Sequence, residues 1–173
     1  MRVFAILSAL AVFAFANPAP LGFEIDKATY DEVTAKYRVE SSIKTYTGGI
    51  SISVDRKKVE LDGLIGYYVS FDFDAQGKLV ETNLSFEKNK FNELLSFLSK
   101  KYKLIKKTTS KYGETFVEFE KDNCIIKLRG LKEVTNLVYI SKDEDKRRED
   151  YFKAQKQQQK EREQRIKENM NSL

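Results

Sequence analysis

The chain has 173 residues, with 31 Lys plus Arg against 26 Asp plus Glu, no histidine and one cysteine. The missing histidine excludes Ser-His and Cys-His nucleophilic sites and His-ligated metals, and the lone cysteine excludes an internal disulfide, so the fold must be held by its core. The net charge of +5 is spread along the chain without a basic stripe of the kind that neutralises phosphates, which sets nucleic acid aside as a partner.

Residues 1–16 read as a cleavable export signal. Arg2 gives a positive start, an apolar run follows to Phe13, and Ala14-Phe15-Ala16 offers the small residues a signal peptidase needs. The run is shorter than the ~20 residues that span a bilayer, and Pro18 and Pro20 follow it, so no transmembrane anchor is expected after cleavage. The expected compartment is the periplasm, or the medium if the source is not a Gram-negative bacterium.

Residues 17–141 read as one α+β domain. Thr29-Tyr30-Asp31-Glu32 fits a capping box, which predicts a short helix to about Tyr37. Residues 39–47 and 50–54 flank Gly48-Gly49 as a hairpin. Residues 65–73 form the clearest strand, with Ile65, Tyr67, Val69, Phe71 and Phe73 on one side. Asp74-Ala75-Gln76-Gly77 turns it back into residues 79–86. The turn opens like a calcium loop, but Asn83 stands where a bidentate carboxylate is required.

Asn89 is placed to cap a second helix carrying Phe91, Leu94, Leu95, Leu98 and Tyr102 on one face. Four further strands are expected at 104–108, 115–120, 124–129 and 134–141. Alternation puts Cys124 beside Ile126 and Leu128, which points to a buried thiol, with a disulfide between chains as the alternative. The expected fold is an antiparallel sheet with both helices on one face.

The order of one helix and four strands occurs twice, at 22–86 and 87–141, and reads as a tandem repeat. Thr29 and Asn89 serve as matched helix starts, and Leu61-Asp62-Gly63-Leu64 matches Leu128-Arg129-Gly130-Leu131. Together with the entry segment Ile25-Asp26-Lys27-Ala28-Thr29-Tyr30-Asp31-Glu32-Val33, the pattern resembles the small exported α+β proteins that include outer-membrane assembly lipoproteins and a tandem-repeat secreted β-lactamase inhibitor. The resemblance covers most of residues 22–141, and no inhibitor contact residue is carried over from it. The lipidated cysteine of the lipoprotein branch is absent, and cystatin-like and PepSY-like folds share the same layering.

Residues 142–173 turn charged and Gln-rich with no Gly or Pro, which predicts a helix supported by acid-first pairs such as Glu144 with Arg148 and Glu149 with Lys153. Phe152, Ile166 and Leu173 fall on one heptad line, so the segment reads as a solvated arm or as a weak seam for self-association.

No constellation demands a cofactor, a metal or catalysis. The expectation is a non-enzymatic module that binds another envelope protein, with Tyr68, Phe116 and Tyr139 as exposed aromatics on the sheet and Phe152 and Ile166 on the arm. A carrier of small apolar ligands and a secreted enzyme inhibitor are the alternatives. Self-association through the C-terminal helix or Cys124 is a further route.

Overall fold

A computed structural model describes residues 17–55, 59–61, 63–66 and 68–171. The expected export signal, Tyr67 and Leu173 lie outside the described residues. The elements run α1 (Tyr30–Lys36), β1 (Val39–Lys44), β2 (Ile50–Val54), β3 (Glu60–Leu61), β4 (Leu64–Ile65), β5 (Tyr68–Phe73), β6 (Leu79–Glu87), α2 (Phe91–Lys101), β7 (Lys103–Thr109), β8 (Thr115–Lys121), β9 (Cys124–Gly130), β10 (Val134–Ser141) and α3 (Lys142–Asn171).

The fold is α+β, with eight strands in one antiparallel sheet ordered β1-β2-β5-β6-β10-β9-β8-β7. From each edge the strands run inward in chain order, and the halves meet where β6 pairs with β10. The short hairpin β3-β4 stands apart from this sheet.

One apolar core explains why the helices sit where they do. It joins Val33 of α1 and Leu94 and Leu98 of α2 to Ile52, Val69, Phe71, Leu84, Phe119, Ile126 and Leu137 of the sheet. Period-two alternation supplies the strand residues, and spacings of three and four supply the helical ones. The entry segment adds Leu21, Phe23, Ile25 and Ala28. It is fastened by Asn17, whose side-chain amide donates to the Ile25 carbonyl while its oxygen accepts from the Asn123 amide.

The capping box is present. Thr29 Oγ1 accepts from the Glu32 amide at 3.3 Å, and Glu32 Oε2 accepts from the Thr29 amide at 2.8 Å. A bulge between Asp72 and Phe73, opposite the start of β6, lets Leu79 join Thr82, Leu84 and Phe86 in facing the core.

Several expectations are corrected. Asn89 is not a cap: it lies in a 3-10 turn, Lys88–Lys90, and α2 starts after Lys90 without a side-chain cap. The strand expected at 65–73 is split, with Leu64–Ile65 paired to Glu60–Leu61 and β5 beginning only at Tyr68. The two Leu-x-Gly-Leu landmarks are not equivalent. Gly63 turns β3 into β4 with φ of 82°, whereas Gly130 ends β9 under the Phe91 ring.

Cys124 is free and buried, and burial pushes its thiol up to about 12. That argues against the disulfide between chains, because the thiolate is the attacking species. Iodoacetamide at pH 8 is expected to leave Cys124 unmodified in the folded protein and to modify it fully in denaturant; labelling of the native protein, read by mass, would show that β9 opens.

Candidate functional site

The helices leave the other side of the sheet partly open. Residues paired across neighbouring strands project to the same side, and the register aligns Tyr68, Ser85, Asn136, Arg129, Phe116 and Thr108 in one row over six strands. Ser85 Oγ donates to Asn136 Oδ1 at 2.9 Å, and the Arg129 guanidinium lies 5.5 Å from the centre of the Phe116 ring. The next row carries Ser53, Ser70, Asn83, Val138, Lys127 and Glu118, and the third carries Ser51, Asp72, Glu81, Ile140, Ile125 and Glu120.

Over the third row lies the start of α3. Ser141 Oγ accepts from the Glu144 amide at 3.2 Å, which fixes where the helix begins. Three turns then dock by a stripe at helical spacing. Asp145 pairs with Lys127 of β9. Arg148 reaches Glu81 at 2.7 Å and Asp72 at 3.4 Å, and its Nε donates to the Tyr46 hydroxyl at 3.0 Å. Tyr46, from the β1-β2 turn, stacks on Tyr151 with ring centres 4.4 Å apart and touches Phe152 at 6.1 Å. One guanidinium thus ties β5, β6 and the first hairpin to the helix.

Glu81 is 4% exposed. Burial pushes its carboxyl up to about 7, against the pull of Arg148 and with a further push from the Asp72 and Glu144 charges. Its Oε2 is ion-paired to Arg148 but off the N–H direction, so it accepts no hydrogen bond. Burial raises Glu144 as well.

A raised carboxyl binds its proton more tightly when folded. The Glu81 contribution is therefore complete below about pH 4.5 and is lost as pH rises through about 7. Replacing Glu81→Gln is expected to remove up to about 1.4 kcal/mol per pH unit from the slope of unfolding free energy in that window. Equal slopes for the two proteins in urea titrations would contradict this assignment.

Beside the docked turns is a cavity of about 190 Å³ lined by Asn83, Lys127, Arg129, Asn136, Asp145 and Arg148, among others. Its lysine and one of its two arginines are held by carboxylates. Glu81 also lines this cavity, with its Oε2 buried against Arg148. Among the described residues no group of three or more Cys, Asp or Glu is placed to hold a metal ion. In the calcium-like turn, Asp74 Oδ1 accepts from the Gln76 and Lys78 amides at 3.0 and 2.9 Å, so it closes the hairpin.

The candidate contact residues separate. Tyr68, 45% exposed, and half-buried Phe116 share the open row, while Phe152 and Ile166 are exposed on α3. Tyr139 is corrected: at 2% exposure it belongs to the core, edge-on to Tyr102. Its strand carries Leu137 and Thr135 on that same side, and both sides of β10 mix polar and apolar residues, so alternation alone could not orient it.

The sequence reading missed Asp72, Glu81 and Tyr46, and it paired Arg148 with Glu144. In the structure Glu144 pairs with Arg147 and Arg148 faces the sheet. The signal was available in Ser141-x-x-Glu144 as a second capping box, followed by 145, 148, 151 and 152 at spacings of three and four.

Beyond the docked turns, residues 153–168 of α3 are exposed on all sides, and the helix is supported by Glu149–Lys153, Gln157–Glu161, Gln159–Glu163 and Gln164–Glu168 contacts. A chain ended after Lys153 is expected to unfold within about 0.5 kcal/mol of the full protein. One ended after Ser141, which uncovers Ile140 and removes the Tyr151 ring from Tyr46, is expected to lose more, about 1.5–3 kcal/mol of apolar burial. Denaturant midpoints of the two truncations test the division. No described helix is long and apolar enough to cross a membrane.

No family model, curated protein or solved structure matches this chain.

Proposed function

We propose that this is an exported, non-enzymatic binding module that holds another envelope protein between the outer face of its sheet and the exposed length of α3. The observation that carries the reading is the open row, in which Tyr68 and Phe116 flank Asn136 and Arg129 on a rigid sheet with the docked helix standing beside it. Aromatic and Arg side chains set in a polar surround are the usual anchors of protein interfaces. The periplasm or the medium is the proposed location, resting on residues 1–16.

The mirrored strand order is what a duplicated helix-plus-four-strand unit would produce, and this supports the proposed kinship with tandem-repeat inhibitors. The inequivalent landmarks leave topology as the main support. A secreted inhibitor would use the same face. The carrier alternative is disfavoured by size: the pocket between α2 and the β3-β4 hairpin is about 80 Å³, against the roughly 300–1,000 Å³ of ordinary ligand sites.

Photo-crosslinking residues placed one at a time at Tyr68, Phe116, Phe152 and Ile166 in the native host test the reading. A single protein captured from both the sheet and the arm is the expected result. Capture lost on the Tyr68→Ala/Phe116→Ala double variant would locate the contact, and no capture at any of the four would end the proposal. An apolar fluorescent probe is expected to show no saturable binding. Mass spectrometry of the native protein should find a chain starting at Asn17; Met1 retained in a cytosolic fraction would refute export.

A further inference from the structure

The two edges of the sheet are unlike. Both are bulged near their starts, but β7 carries Lys103, Lys106 and Lys107 and no acidic residue, a charge of one sign that discourages pairing with a copy of itself. β1 is irregular only between Val39 and Ser41, and from Ser41 to Lys44 it is in continuous register with β2. All of its residues after Val39 are exposed, and Ile43 keeps 69% of its surface.

The direction of the free amides follows from the hairpin. The Thr45 amide donates to the Gly49 carbonyl, so alternation turns the backbone groups of Ile43 and Ser41 towards β2 and those of Ser42 and Lys44 away from it. An antiparallel two-fold axis through Ser42 would set Ser42 against its own copy, Ser41 against Ile43, and Glu40 against Lys44. The strand is therefore charge-complementary to itself, with opposite charges facing at both ends of the contact.

We propose that β1 is a self-pairing edge, at which two copies of this chain join antiparallel about Ser42 and fuse their sheets into one. The occupant is a second copy because no other pairing on the page matches Glu40 and Lys44 to opposite charges. Such a contact is short and below the area of a standard interface, so association at about micromolar or weaker concentration is expected. The surface differs from the one assigned to the envelope partner, and either can fail without the other.

Sedimentation equilibrium of residues 17–173 from about 5 to about 500 μM is the experiment. A concentration-dependent dimer is expected. Ser42→Pro removes an outward donor without touching the β2 ladder and is expected to abolish the dimer with the circular dichroism unchanged. Glu40→Lys is expected to weaken association about tenfold, and adding Lys44→Glu to restore it; this charge swap decides the matter if the proline variant does not fold. A chain ended after Lys153 is expected to dimerise as the full chain does. A monomer throughout, or a dimer that ignores both Ser42→Pro and Glu40→Lys, overturns the proposal.

Discussion

Replacing Arg148→Met is expected to lower the unfolding free energy by about 3–5 kcal/mol at pH 8, the usual cost of stranding a buried charge. Arg148 is the cation that reaches both Glu81 and Asp72. Asp72 retains its hydrogen bond from Ser51 Oγ, but Glu81 is left with no pairing cation in its ion pair. The loss should shrink towards pH 5, because Glu81, pushed up to about 7, is then neutral. Adding Glu81→Leu should recover most of the loss at pH 8, since apolar replacement of a buried pair is often neutral. A loss that is the same at both pH values, or no recovery in the double variant, would show that Arg148 acts through packing rather than charge.

Gly49→Ala is expected to be equally costly, at about 3 kcal/mol or more, for a different reason. A Cβ at Gly49 would lie 1.9 Å from the Phe73 carbonyl oxygen and 3.0 Å from the Asp74 carbonyl carbon. Both are main-chain atoms of the neighbouring hairpin, so no rotamer can yield. β2 would have to part from β5. Gly48→Ala makes the control. Its φ of 85° imposes strain, but among the described residues no atom lies within 4 Å of the added carbon, so a loss near 1 kcal/mol is expected. Thermal or urea unfolding of the two variants should rank them in that order, and equal losses would contradict the clash.

Much of the fold was legible because its signals are local. The Thr29 capping box, the Gly48-Gly49 hairpin and the alternation of Val69, Phe71 and Phe73 each depend on residues within one or two elements. Cys124 followed from its parity with Ile126 and Leu128. What escaped was long-range. Arg148 has an acidic neighbour four residues back, so helix rules supply a sufficient partner and hide the true ones on β5 and β6. Glu81 alternates as a solvent residue should, and only the arrival of α3 buries it. Tyr139 was misplaced for a related reason: near Ile140 both sides of β10 are covered, and a strand covered twice has no polar side to read.

The sheet closes in its middle. β6 is complete early in the chain, yet its second neighbour is β10, with Ser85 and Asn136 meeting across 51 positions. A nascent chain that has not yet emitted β10 therefore carries bare hydrogen-bonding rims on both β6 and β9, the future interior of the sheet. Such rims are templates for aggregation. Closure cannot precede arrival of the last strand, so non-local, slow pairing is the final step in forming the sheet.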